Sequence, residues 1–169
     1  MSKKLFYLLL FILLIFGVDK VKAKDSDRIL KLNISQEFYQ KDPRKAGDLT
    51  SNSIHFFLHE SLMKMGPYSK DPELCIAERV ELDSNRTTYT FHLGTYKFSN
   101  GSPITSYDFV SSWKEILSPD FPCPNIYLFY NIKNARKVKK SELPFEKCGI
   151  KALDEKTLQI ELEEPQNSF

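Results

Sequence analysis

The three histidines and three cysteines carry most of the reactive chemistry this chain could offer. His55 and His59 are four residues apart, which puts both rings on one helix face, and with His92 or Glu60 they could ligate zinc. Their neighbours are Phe56, Phe57 and Leu58, and in that setting such histidines read more readily as an exposed polar stripe beside a core face. Cys75, Cys123 and Cys148 are an odd number with no C-x-x-C or C-x-x-H spacing. They allow at most one disulfide and give zinc little support. Glu163 and Glu164 are adjacent near the end of the chain and form no enclosed acid pair. No G-x-S-x-G elbow, phosphate-binding glycine loop or H-E-x-x-H motif occurs. The residues argue for no enzyme, no cofactor and no metal.

Charge narrows the partners further. The formal net charge is +2, but Lys3, Lys4, Lys20 and Lys22 against Asp19 account for +3, leaving about −1 on the rest. Bulk charge therefore makes no case for nucleic acid. The local run Lys133, Arg136, Lys137, Lys139, Lys140 reads as a solvated loop or helix face. The two early lysines precede an apolar run from Leu5 to Val18, and Val21-Lys22-Ala23 supplies the residues a signal peptidase reads. Residues 1–23 are expected to be a secretory signal peptide, because a helix needs about 20 apolar residues to span a membrane and this run is shorter. With no cysteine near the cleavage site, the mature protein is expected to be soluble and exported rather than lipid-tethered.

Behind the leader, Leu30, Leu32 and Ile34 alternate with polar residues as in a strand. From Ser53 the spacing of Ile54, Phe57, Leu58, Leu62 and Met65 predicts an amphipathic helix, with Thr50, Ser51 or Ser53 as N-cap and Gly66-Pro67 as its stop. Val80 and Leu82, the turn Asp83-Ser84-Asn85-Arg86, and then Tyr89, Phe91 and Leu93 predict a β-hairpin. Asn100-Gly101 marks a turn, and Thr105 with Asp108 marks a helix start. That helix carries Phe109, Val110, Trp113, Ile116 and Leu117 on one face and ends at Ser118-Pro119. An ordered aromatic-rich connection is expected over residues 121–130, and a last strand over residues 158–162.

The stretch Thr88-Tyr89-Thr90-Phe91-His92-Leu93, followed by the run from Lys97-Phe98-Ser99-Asn100-Gly101-Ser102-Pro103 to Asp108-Phe109-Val110-Ser111-Ser112-Trp113, resembles the family 5 oligopeptide-binding proteins of ABC importers. About twenty positions agree in order and spacing with the family pattern of a Thr-Phe-His-Leu strand, a Ser-Asp-Gly-Thr-Pro turn and an Asp-Phe-Val helix. The likeness continues upstream to Asp42-Pro43 and downstream through residues 149–154 and 162–165. Two departures stand out. Gly94 stands where the family usually has Arg, which implies a loosened strand end, and Asn100 replaces Asp in a turn that Asn can still make.

The resemblance implies a mixed α/β (α+β) fold of the type II periplasmic-binding-protein kind. Residues 24–48 would supply the first strand region of a main lobe, and residues 49–169 the small accessory domain. The chain would be a truncated solute-binding protein that lacks the second lobe, and the segment 30–34 would have lost its sheet partner. Its partners would be oligopeptides and the membrane permease subunits of the importer, and it would act as a monomer in the periplasm. Glu37 matches an acid at the family's peptide site, where a carboxylate could meet an α-amino group. Phe38 and Tyr39 would offer backbone groups, and Tyr127 or Tyr130 would match a ligand-facing tyrosine. A different class of function stays open: a standalone exported interaction domain, or a remnant of a split gene, using residues 121–130 as its contact surface.

Overall fold

The computed structural model describes residues 31–166, apart from Ser35, Pro67, Ser69 and Lys70. The leader expected over residues 1–23 lies outside the described residues, as does Leu30. The chain divides into two units after Asn33, and of the first only Lys31, Leu32 and Asn33 are described. These three and Ile34 have no regular secondary structure, and Leu32 and Ile34 are exposed. Over residues 31–34, then, the alternation produces no strand.

In the second unit, α1 spans Leu49–Leu58, and β1 (Met63–Met65) and β2 (Pro72–Leu74) form a two-stranded antiparallel ribbon. The main sheet is built from β3 (Ala77–Leu82), β4 (Thr88–Leu93), β5 (Ile150–Asp154) and β6 (Thr157–Glu161), all antiparallel, in the order β3-β4-β6-β5. Between β4 and β5 come α2 (Ser106–Ile116) and the short α3 (Ala135–Lys139). Leu158 and Ile160 of β6 and Phe91 of β4 are buried in a core that also takes in Leu117, Ile132, Val138 and Leu162.

Local chemistry explains the turns. Asp83 Oδ1 accepts hydrogen bonds from the N–H groups of Thr87 (2.8 Å) and Thr88 (2.9 Å), closing the β3–β4 loop while Arg86 takes a positive φ of 58°. Asn100 Oδ1 accepts from Ser102 N–H at 3.0 Å, and Gly101, at φ 87°, takes the left-handed position that follows. At the start of α2, both the N–H and the hydroxyl of Thr105 donate to Asp108, 2.7 and 2.8 Å away, as the sequence predicts. Buried Ser106 ties the same end to the β5–β6 turn: its N–H donates to Glu155 O (2.9 Å) and its hydroxyl to Asp154 O.

Three expectations need correction. The strand end at Gly94 is held, not loosened. Its N–H donates to Ile76 O (2.9 Å), its carbonyl accepts from Lys156 Nζ (2.7 Å), and a Cβ there would come within 2.5 Å of the Glu78 carboxylate. The basic run is not merely solvated either. Lys139 Nζ donates to the carbonyls of Ile116 (3.0 Å), Ser118 (2.7 Å) and Phe121 (2.7 Å), satisfying groups left over where α2 ends.

The third correction concerns α1. Its N-cap is Asp48, whose Oδ1 accepts from Ser51 N–H at 2.8 Å, and the helix stops at Leu58 instead of reaching Met65. Leu62 O accepts from the N–H groups of Cys75 and Ala77, both at 3.1 Å, so the following residues are drawn into strand pairing. The buried side of α1 is Thr50, Ser51 and His55, whereas Phe57 and Leu58, expected on the core face, are exposed.

Candidate functional site

The segment just ahead of α1 carries Glu37, Phe38 and Tyr39, and two contacts fix its shape. His55 Nε2 donates to Gln40 O at 2.8 Å, and the Phe38 ring meets the His55 ring edge-on at 5.3 Å. Nε2 carries a proton to donate to this carbonyl, and among the described residues the buried Nδ1 has no hydrogen-bond partner. His55 is therefore a buried strut, not part of the exposed stripe the spacing suggested; only His59 of the pair is exposed. Among the described residues no three His, Cys, Asp or Glu side chains converge as metal ligands.

The chain then turns through Asp42 and Pro43 onto the aromatic connection. Arg44 is gripped by Asp42 at 2.9 Å and also contacts Glu115, while its guanidinium lies 4.9 Å from the centre of the buried Phe121 ring. The Arg44 side-chain hydrogen bond holds the Asp42 carboxyl below its usual range, and the same bond raises the guanidinium. Asn125 Nδ2 donates to Ala46 O at 3.3 Å. Residues 42–46 are thus fastened to residues 115–125, and Tyr127 and Tyr130 follow in a 3-10 turn over Ile126–Phe129 and at its cap.

The expected site residues divide accordingly. Glu37 and Tyr39 are exposed and Phe38 is half-buried. Tyr127 is 61% exposed, whereas Tyr130 is half-buried beneath the Arg136 guanidinium, 4.6 Å from its ring centre. No hydrogen bond, ion pair or ring contact joins Glu37, Phe38 or Tyr39 to either tyrosine among the described residues. Much of the aromatic connection faces inward, since Phe121 is buried and Phe129 packs edge-on against Trp113 at 6.0 Å.

A separate apolar cleft of about 960 Å³ opens between the end of α1 and the main sheet. Leu58, Phe91, Phe109, Trp113 and Phe129 line it, with Glu60, Lys97 and Asp108 at the same cleft. None of the five expected site residues does. The sequence signals Phe109 and Trp113 as core residues, but both are only partly buried because they wall this opening.

The cysteines are all free. Burial pushes the Cys148 thiol up to about 11, and burial followed by the neighbouring Glu60 carboxylate raises Cys75. Neither is an activated nucleophile. Among the described residues no helix is long and apolar enough to cross a membrane.

Comparison with known proteins gives these features a context. Residues 71–169 match the family described as bacterial extracellular solute-binding proteins, family 5 middle. The chain is 31% identical to the oligopeptide-binding protein of Bacillus subtilis over 83% of its own length and 26% of the relative's. It is also 31% identical to the periplasmic oligopeptide-binding protein of Salmonella typhimurium, over 86% of this chain and 27% of that one. Among solved structures, the peptide-bound oligopeptide-binding protein of Listeria monocytogenes superposes with a TM-score of 0.71 at 31% identity, covering 75% of this chain and 25% of that one. The murein tripeptide-binding protein of Escherichia coli gives 0.69 at 26% identity with the same coverage. The chain spans about a quarter of the length of the relatives it matches.

Proposed function

This chain belongs to the family 5 bacterial extracellular solute-binding proteins, and from that membership we propose that it is part of the peptide-binding component of an oligopeptide ABC importer. These relatives are binding proteins, not enzymes, which agrees with the lack of catalytic motifs in the sequence. Residues 1–23 are removed on export to the periplasm, residues 24–48 begin a main lobe, and residues 49–169 form the accessory domain. The permease subunits are its membrane partners.

The observation that carries the reading is the segment Glu37–Tyr39, anchored beside α1 by the His55–Gln40 and Phe38–His55 contacts with Glu37 exposed. Main-chain groups not used in regular structure can pair with a peptide main chain, and a carboxylate beside them can meet the peptide's α-amino group without regard to side chains. Tyr127 and Tyr130 contribute aromatic contact. The residues named here amount to one wall of such a site, so the affinity they provide on their own is weak, with Kd on the order of 1 mM or higher.

Titrating the isotope-labelled chain with a mixture of short peptides at millimolar concentration tests this by NMR. Resonances of Glu37–Gln40 are expected to move, less with N-acetylated peptides and less in Glu37→Gln. Unmoved resonances in that segment would remove the peptide reading. A saturable rise in melting temperature at micromolar peptide would show instead that the chain binds tightly without further lobes.

A further inference from the structure

We propose that Asn100 is a site of self-modification, where the chain converts its own side-chain amide to an acid without an enzyme, and that Ser102 assists the step. The site is the tip of a small hairpin. Lys97 and Pro103 form an antiparallel bridge, Ile104 N–H donates to Tyr96 O (3.0 Å) and Phe98 N–H to Ser102 O (2.9 Å), which leaves Asn100 and Gly101 exposed at the turn.

The reaction needs a backbone nitrogen that can reach the carbon of the preceding carboxamide. Gly101 N bonds to Asn100 Cγ and gives up its proton to hydroxide. The Cγ–Nδ2 bond then breaks, and the nitrogen takes a proton from water and leaves as ammonia. Water opens the resulting five-membered imide at either carbonyl, leaving aspartate or isoaspartate at position 100. Of all the asparagines in the sequence only Asn100 precedes a glycine. The others are followed by a side chain that crowds the ring. A Cβ placed on Gly101 would meet nothing within 4 Å, so no neighbouring segment crowds it either.

The turn also prepares the carboxamide. Ser102 donates to Asn100 Oδ1 twice, from its N–H at 3.0 Å and from its hydroxyl at 2.7 Å. A backbone N–H can only donate, so it is the amide oxygen that faces Ser102. Both donors draw charge from Cγ and meet the negative charge that gathers on Oδ1 as the nitrogen adds. Asn125, Asn131 and Asn134 each tie up Nδ2 in a hydrogen bond, whereas among the described residues Asn100 Nδ2 has no acceptor and is open to leave. One contact opposes the step: Gly101 N–H donates to Phe98 O at 2.9 Å and must be released, at an exposed tip where water can take its place.

Modification would reach the cleft described above. Isoaspartate adds a carbon to the backbone, which puts the Phe98–Ser102 and Lys97–Pro103 pairs out of register, and Lys97, Phe98 and Ser99 belong to the cleft wall.

Ageing the full chain at neutral to alkaline pH, followed by peptide mapping with mass spectrometry, tests this. Asn100 is expected to convert at least about tenfold faster than any other asparagine, with isoaspartate among the products and a rate that rises with pH, because the attacking nitrogen must lose its proton. Ser102→Ala is expected to slow conversion roughly three- to tenfold in the folded chain, since water replaces part of what an exposed donor supplies, and to change nothing in urea. Amide resonances of residues 97–99 are expected to shift in the aged chain while those of residues 37–40 stay in place. A folded chain in which Asn100 converts no faster than Asn85 would overturn the proposal. An unchanged or faster rate in folded Ser102→Ala would overturn the assistance by Ser102, and unmoved resonances at residues 97–99 would overturn the link to the cleft. Peptide is absent throughout, so loss of the peptide reading leaves this result intact and the converse also holds.

Discussion

Replacing Lys139 by Met should unfold this domain more readily than any change to its neighbours in the basic run. The Lys139 ammonium donates to Ile116 O, Ser118 O and Phe121 O at 2.7–3.0 Å, so one side chain closes the end of α2 and pins the start of the aromatic connection. A hydrogen bond to a charged group contributes about 1.5–3 kcal/mol when well shielded, and a cation at a helix C-terminus adds about 0.3–1 kcal/mol. Lys139 is half-buried, so water can take over part of these contacts in the variant, and the net loss works out at roughly 2–3 kcal/mol. For a domain of this size that corresponds to a fall in melting temperature of roughly 6–15 °C. Met keeps the aliphatic stem and thereby isolates the ammonium. Urea and thermal unfolding followed by circular dichroism would compare Lys139→Met with the exposed control Lys140→Met, which should lie within about 0.5 kcal/mol of the parent. Lys139→Arg should fall between them, because a planar fork cannot reach three diverging carbonyls at once. The reasoning is refuted if Lys139→Met and Lys140→Met unfold together.

Acid should weaken the fold in a defined window. Asp83, Asp154 and Asp48 accept backbone N–H bonds, chiefly from Thr88, Lys156 and Ser51 respectively, and each is held below its ordinary value. Their contribution is complete above the unfolded carboxylate value near 4 and disappears as pH falls through the lower folded values. Melting curves from pH 7 to pH 2 should show a decline confined to the acid end, with a shallower slope in Asp83→Asn; an unchanged slope would rule out that aspartate. Among the thiols, Cys148 should resist iodoacetamide at pH 8 in the folded chain while Cys123 reacts, and should react once urea is added. Mass spectrometry of the alkylated chain would show otherwise if Cys148 were modified at the same rate as Cys123.

Elements whose causes are local could be read from the sequence. The β3–β4 hairpin follows from alternation at Tyr89, Phe91 and Leu93 and from Asp83 at its turn, and α2 follows from Thr105, Asp108 and the apolar face ending at Leu117. Strand β5 was illegible because only Ile150 is buried along it and a bulge between Ala152 and Asp154 breaks its register. The ribbon of β1 and β2 exists only through its pairing, with Met63 opposite Leu74, and nothing in three-residue segments announces that. Periodicity in α1 identified which residues share a side but not which side is inward; that is decided by Gln40 and Phe38 on His55. The three carbonyls around Lys139 lie 18–23 residues earlier in the chain, so composition alone made it one more surface lysine. For the candidate site, Glu37 and Tyr39 are exposed and Phe38 and Tyr130 half-buried, which alternation and spacing do not announce, and the cleft behind Trp113 carries no sequence mark distinct from a core.

The sheet order β3-β4-β6-β5 also sets a timetable for folding. The hairpin partners β3 and β4 are only a few residues apart, but β4 must find β6, pairing Thr88 with Glu161 and Phe91 with Leu158, across the intervening residues 94–156. Closing so long a loop is slow, and the buried side of β4 has no cover until it closes. The first hairpin therefore lacks its second neighbour, with Phe91 and Tyr89 not yet packed, until residues 157–161 are available to pair. The interval before β6 arrives is when this protein most depends on being kept from its neighbours.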